Sequence, residues 1–114
     1  MIVDELHSAP ARATLDVGVQ RLVGLVEVCL DGSLDERTVA SFCEAIGPLL
    51  ASGTVLDLDC TELVEIDGSG LALLLDVRAR LVTGGGALVV RFAQPAVIDR
   101  LRGTALDDVL IVAA

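Results

Sequence analysis

The chain has 114 residues and a formal net charge of −9, and all eight of its cations are arginine. Nucleic-acid backbones and anionic membranes repel so acidic a surface, which excludes both as expected partners. No apolar run is long enough to span a membrane, and the opening MIVDELHSAP lacks the features of a signal peptide, so we expect a soluble cytoplasmic domain.

Two strands are predicted at the start of the chain. Residues 13–19 alternate loosely between apolar and polar and are followed by Gln20-Arg21, which we interpret as a hairpin turn. Residues 22–30 are a β-branched, mostly apolar run, as expected of a strand.

A turn and a helix are predicted next. Residues 31–36 have turn chemistry, and Asp35 is placed to cap the helix predicted at residues 36–52. Gly47-Pro48 is expected to kink or shorten the helix near its end. The residues that recur at helical spacing are Val39, Phe42, Cys43, Ile46 and Leu49.

The second half of the chain alternates strands and helices. Its central helix has an apolar stripe at i, i+4, i+7 and i+11 and is expected to end at the glycine run 84–86. The stripe consists of Gly70, Leu74, Val77 and Leu81. The other predicted elements are strands at 54–60, 87–92 and 108–112 and a short helix at 95–103.

This order of elements predicts an α/β fold with a mixed, mostly parallel sheet and helices packed on it. We expect a single domain over residues 13–114, with residues 1–12 as a tail or leading segment. The core must be built from Val, Leu, Ile and Ala, because the chain has two Phe and no Trp or Tyr.

Catalytic and metal sites are weakly supported. Asp57 and Asp59 share one face of a strand and Asp67 follows, but acids near strand ends more often face solvent than hold Mg²⁺. A phospho-accepting receiver domain resembles this chain in size, yet it needs a lysine and this chain has none. His7 lies in the predicted tail, too poorly placed to serve Ser69 as a general base.

The three cysteines, Cys29, Cys43 and Cys60, lie in apolar contexts without CxxC spacing. We therefore predict buried small hydrophobic residues rather than a zinc site or a disulfide framework.

Ser69 in the stretch IDGSG carries the clearest functional signal. The simpler interpretation makes its hydroxyl the N-cap of the central helix. The alternative is a phosphorylation site, because Gly68 and Gly70 leave the hydroxyl accessible and a helix N-terminus tolerates an anion. A phosphate would add about −1.5 to −2 charges to any surface that docks there.

The stretch TVLDLDCTELVEIDGSGLALLL resembles the central motif of STAS domains, the anti-sigma factor antagonist family. GSLD at 32–35 resembles the turn before that family's first helix, and residues 93–112 resemble its third helix and last strand. The resemblance covers about residues 13 to 112 and implies a non-enzymatic module that needs no cofactor of its own.

The resemblance also implies roles for individual residues. Ser69 stands at the position that an anti-sigma factor phosphorylates in these antagonists; that partner is itself an ATP-dependent serine kinase, and a phosphatase reverses the modification. The partner-facing surface would comprise Ser33, Asp35, Asp67, Gly68, Gly70 and Leu71. Unphosphorylated antagonist binds the kinase and frees a sigma factor for transcription.

Three departures from the family's pattern leave alternatives open. Gly68 stands where a serine is common, and Ser33 replaces a glutamate that contributes to partner choice. Many members continue into a further helix after the last strand, so either the chain is cut short or another body, such as a second copy in a homodimer, covers one face. Other STAS proteins are small subunits of bacterial ABC lipid-transport systems or parts of stress-sensing assemblies, and these remain alternatives.

Overall fold

The computed structural model describes residues 15–107 and 110–111 of the chain. The predicted domain boundary at residue 13, the tail at 1–12 and part of the predicted strand 108–112 lie outside these residues. The strands are β1 (Leu15–Leu22), β2 (Leu25–Leu34), β3 (Val55–Ile66), β4 (Ala87–Arg91) and β5 (Leu110–Ile111). The helices are α1 (Val39–Ile46), α2 (Gly68–Thr83) and α3 (Pro95–Leu101), with a 3₁₀ turn at Gly47–Leu49.

The five strands form one sheet in the order β1-β2-β3-β4-β5. β1 pairs antiparallel with β2, and the other three pairings are parallel, which confirms the predicted α/β class and mixed sheet. Each of the three helices connects a strand to its next neighbour, always in the same direction across the sheet. Because such connections are right-handed, the three helices lie on one face of the sheet.

The core lies between that face and the helices. Alternate residues of the strands point into it, for example Val26, Val28 and Leu30 of β2. On α2 the buried residues are Gly70, Leu74, Val77 and Leu81, so the predicted stripe is confirmed in full. Phe42 of α1 is completely buried and is the largest side chain of the core.

β1, β2 and β3 extend further towards their C-terminal ends than the sequence predicted, whereas β4 ends one residue earlier than predicted, at Arg91. The hairpin turn lies at Val23-Gly24 rather than at Gln20-Arg21. β2 continues through residues 31–34, which were predicted as a turn, because β3 extends beside it as far as Ile66. The pairing with β3 changes register twice in this segment, between Cys29 and Asp31 and between Gly32 and Ser33.

Helix α1 is shorter than predicted at both ends. It begins at Val39, after a turn at residues 35–38, and Asp35 does not cap it. It ends at Ile46, so the predicted shortening at Gly47-Pro48 is confirmed, and the chain continues as a 3₁₀ turn. No described helix has both the length and the apolar character that crossing a membrane requires.

The cysteine prediction was right for one residue of three. Cys60 is buried, and burial raises the pKa of its thiol to about 12. Cys29 and Cys43 are exposed. Cys29 lies on the side of β2 that faces away from the helices. Cys43 was predicted to belong to the apolar stripe of α1, but the buried residues of that helix are Phe42 and Ile46.

Candidate functional site

Ser69 lies in the first turn of α2, just past the end of β3, and is exposed. It does not cap the helix. Asp67 is the N-cap, with extended backbone angles and a side chain that accepts a hydrogen bond from the Gly70 N–H. The simpler interpretation of Ser69 as an N-cap is therefore wrong, and the helix does not depend on the Ser69 hydroxyl for its start.

The Asp67 carboxylate ties the start of α2 to the loop before α1. Its Oδ1 accepts from the Gly70 N–H at 2.9 Å, and its Oδ2 accepts from the Glu36 N–H at 3.2 Å. The bond from Gly70, and with it those from Glu36 and Ser69, lowers the pKa of Asp67 below its ordinary value. The resulting stabilisation is present above the unfolded-state pKa and is lost as the pH falls through the lower folded-state pKa.

The hydrogen bonds of Asp67 reduce the number of backbone donors that a phosphate on Ser69 could use. The Gly70 amide in the first helical turn already donates to Asp67. A phosphate would therefore have to compete with a carboxylate for the donors that normally hold an anion at a helix N-terminus.

The loop before α1 is held by Thr38, a residue that sequence reasoning missed. The Thr38 hydroxyl donates to the Ser33 carbonyl at 2.8 Å and accepts from the Asp35 N–H at 3.0 Å. Thr38 is 4% exposed, so these bonds are shielded from water. The Asp35 carboxylate accepts from the Arg37 N–H at 2.9 Å and stabilises the turn rather than the helix. The sequence signal for this role was a threonine directly before the first apolar residue of the helix, a position where threonine often forms hydrogen bonds to the backbone.

An open acidic cleft of about 470 Å³ lies between this loop and the start of α2. It is lined by Asp35, Glu36, Arg37, Glu65 and Asp67. The single cation pairs loosely with Asp35, at 3.9 Å, so three of the four carboxylates face the cleft without a described ion pair. A partner surface with positive charge would fit it best. Glu36 and Glu65 were not predicted as site residues.

The two glycines beside Ser69 have different roles. Open space surrounds the position where Gly68 would carry a side chain, so Gly68 leaves the helix start accessible. Gly70 is buried, and a Cβ there would collide with the Leu34 carbonyl oxygen and come within 2.9 Å of side-chain carbons of Leu34 and Ile66. Gly70 therefore allows α2 to approach the ends of β2 and β3 rather than giving access to Ser69.

The remaining predicted site residues are partly or fully covered. Ser33 is 8% exposed and contributes its backbone carbonyl to Thr38, so its side chain offers little surface to a partner. Leu71 is half-buried and packs against the core. The site is thus a surface formed by the exposed start of α2 and the 35–38 loop.

Asp57 and Asp59 of β3 lie on the face that the helices leave open and serve structural roles. Asp57 is 9% exposed and accepts from the Arg91 Nε–H at 2.9 Å, and Arg91 also approaches Glu27 at 3.7 Å. Asp59 accepts from the Thr61 hydroxyl, which lowers the pKa of that carboxyl. No group of three or more metal-binding side chains is assembled in residues 15–107 and 110–111. His7 lies outside the described residues.

Comparisons with known proteins agree with this geometry. The family model described as "Mlab, STAS domain" matches residues 17–112. An anti-sigma factor antagonist from Mycobacterium paratuberculosis is similar in structure, with a TM-score of 0.74 and 24% identity over 87% of this chain and 85% of that one. Unphosphorylated SpoIIAA, also an anti-sigma factor antagonist, gives 0.75 and 18% over 87% and 89%.

The same fold also occurs outside antagonists. The murine anion transporter Slc26a9 gives a TM-score of 0.73 at 13% identity, covering 96% of this chain but only 22% of the transporter. No curated protein sequence matches the chain. Identities this low establish the fold alone, so the function has to be argued from the site.

Proposed function

The chain belongs to the STAS domain family, and from this premise we propose that it is an anti-sigma factor antagonist whose binding is switched off by phosphorylation of Ser69. Its partner would be an anti-sigma factor that is also a serine kinase. ATP would bind to that partner, in the cytoplasm, and a phosphatase would restore the binding form. In this way the chain would regulate transcription that depends on one sigma factor.

The observation that carries this proposal is the exposed Ser69 hydroxyl, which is free of any role in capping α2. Asp67 already satisfies the helix start, so the serine is not needed for stability. The absence of a side chain at Gly68 leaves room for a kinase active site to reach the hydroxyl. Exposure and open surroundings make the Ser69 hydroxyl accessible to a kinase.

A phosphate at Ser69 would oppose docking for two physical reasons. It would lie beside the Asp67 carboxylate, whose hydrogen bonds occupy the nearby amides, so the domain itself does little to neutralise it. An interface closing over Ser69 would then bury a nearly doubly charged group without a matched partner, which is strongly unfavourable.

The acidic cleft would supply the rest of the interface. Asp35 and Asp67 line it, Gly68 and Leu71 follow Asp67 in the chain, and a partner with basic residues would cover this surface. The contributions of Ser33 and Gly70 would be indirect, since both are buried and shape the backbone on either side of the cleft.

A second candidate is a small STAS subunit of a bacterial ABC lipid-transport system. The observation in its favour is that the matching family model is described by Mlab rather than by an anti-sigma factor antagonist. In that case Ser69 would be an exposed residue without a switching role.

A pull-down from the native organism separates the two candidates. We expect a histidine-kinase-like ATPase to be retained by a Ser69→Ala bait and lost from a Ser69→Asp bait. The Ala bait is the matched control, because both substitutions replace an exposed side chain outside the core. Recovery of ABC transporter subunits with both baits would reject the antagonist and favour lipid transport.

A further inference from the structure

We propose that β1 is a pairing surface for a second copy of this chain, giving a two-fold symmetric dimer with one continuous sheet. β1 is at one end of the strand order and, among the described strands, pairs only with β2. That pairing runs without a bulge from Leu15 to Leu22. The other edge of β1 is therefore a straight row of backbone donors and acceptors.

The backbone groups on this edge can be assigned from the hairpin. Leu22 and Leu25 flank the two-residue turn and form its closing pair. Since pairs in an antiparallel ladder alternate between bonded and non-bonded, the odd-numbered residues of β1 direct their N–H and C=O groups away from β2. A second copy can bond to Val17, Val19 and Arg21 without disturbing the existing sheet.

Of the features that usually protect a sheet edge, β1 carries one, the charge of Arg21 near the hairpin turn, opposite Val26. Exposed edges are normally blocked by lysine, proline, inward-pointing charge or a bulge. The centre of β1 is Val17-Gly18-Val19, and Val19 is 44% exposed. The charges of Asp16 and Arg21 cancel, so β1 is neutral in a chain whose net charge is −9. A second copy meets no electrostatic barrier from the strand itself.

The side chains are complementary when the two-fold axis passes through Val19. A two-fold antiparallel pair keeps each residue on its own face of the sheet, so Val19 faces its copy and Gly18 faces Gln20 of the second copy. Gly18 leaves a depression of about 250 Å³, bordered also by Glu27 and Cys29. The chain's own Val19 and Gln20 also border this open depression, and the Gln20 side chain of the second copy enters it.

The dimer is expected to be weak and sensitive to salt. One strand pair falls at the low end of the size range of specific interfaces, so monomer and dimer should exchange with concentration. The two copies each carry −9, and added salt screens this long-range repulsion and should strengthen the dimer. Ser69 follows β3 rather than β1, so the pairing leaves the proposed phosphorylation site exposed.

Sedimentation equilibrium of the full chain tests the proposal over about 10 µM to 1 mM, the range that resolves a weak Kd. The average mass of the wild type should rise from monomer towards dimer. Val19→Lys places two lysines opposite each other on the two-fold axis and should weaken dimerisation about tenfold or more. Val82→Lys is the control, because Val82 is also a half-exposed valine but lies on α2.

Two results would overturn the inference. A wild type that keeps the monomer mass at every concentration rules out self-pairing. The same result would be obtained if β1 bound a strand of another protein instead of a second copy. Equal weakening by Val82→Lys would show that net charge rather than the β1 edge controls association. Thermal unfolding of both variants establishes that they are folded. Neither result bears on the Ser69 switch.

Discussion

Gly70→Ala is expected to lower the free energy of unfolding by about 2–3 kcal/mol, at the upper end of the usual cost of overpacking. The added methyl group collides with the Leu34 backbone carbonyl and crowds the side chains of Leu34 and Ile66. A backbone oxygen at the end of β2 cannot move aside without disturbing its strand pairing. Thermal unfolding should show a drop of roughly 10 °C or more.

Gly68→Ala is the matched control for this substitution. The two glycines lie two residues apart in the same helical turn, but nothing lies within 4 Å of a Cβ added at Gly68. Its stability should stay within about 0.5 kcal/mol of the wild type. Equal losses in both variants would mean that backbone flexibility at the helix start, not close packing at Gly70, explains the motif.

Thr38→Val is expected to cost about 2 kcal/mol, although it preserves the shape of the side chain. The hydroxyl is the partner of both the Ser33 carbonyl and the Asp35 N–H, in a position that is 4% exposed. Valine removes the hydroxyl partner of a part-buried donor, the Asp35 N–H, and of a buried acceptor, the Ser33 carbonyl, and each group then carries a desolvation penalty. Denaturant unfolding measures the loss directly.

Thr38→Ser distinguishes the contribution of the hydroxyl to stability from that of the methyl group. Serine keeps both hydrogen bonds and removes one methyl group, which should cost about 0.8 kcal/mol. If serine proved as destabilising as valine, packing rather than hydrogen bonding would hold the 35–38 loop, and the account of this side of the cleft would need revision.

Periodic features were predictable from the sequence because they depend on local spacing. The stripe of Gly70, Leu74, Val77 and Leu81 is fixed by the 3.6-residue repeat, and each of its members is buried. The order of strands and helices gave the α/β class, and the motif around Ser69 gave the family, which the family model confirms.

The missed features depend on contacts between distant segments. Residues 31–34 have turn chemistry, yet they form part of β2 because β3 runs alongside them. Ser69 and Asp67 are both good N-cap residues, and the choice of Asp67 is favoured by its second hydrogen bond to Glu36, which is distant in sequence. Local propensity does not contain this information.

The structural roles of Gly70 and Asp57 could not be read from the sequence for the same reason. Gly70 looked like a means of access to Ser69, but it is buried against the end of β2. Asp57 looked like a candidate metal ligand, but it pairs with Arg91 on the neighbouring strand. In both cases the partner comes from a different element, and only the fold brings the two together.

The switch at Ser69 is tested most directly by incubating the captured kinase with Mg-ATP and the wild-type chain. Intact-mass and peptide analysis should find one added phosphate, located on Ser69, and the bound fraction should fall as the phosphate appears. Ser69→Ala should gain no phosphate and remain bound. A wild type that is never modified, or that binds equally well before and after modification, would contradict the proposed antagonist function.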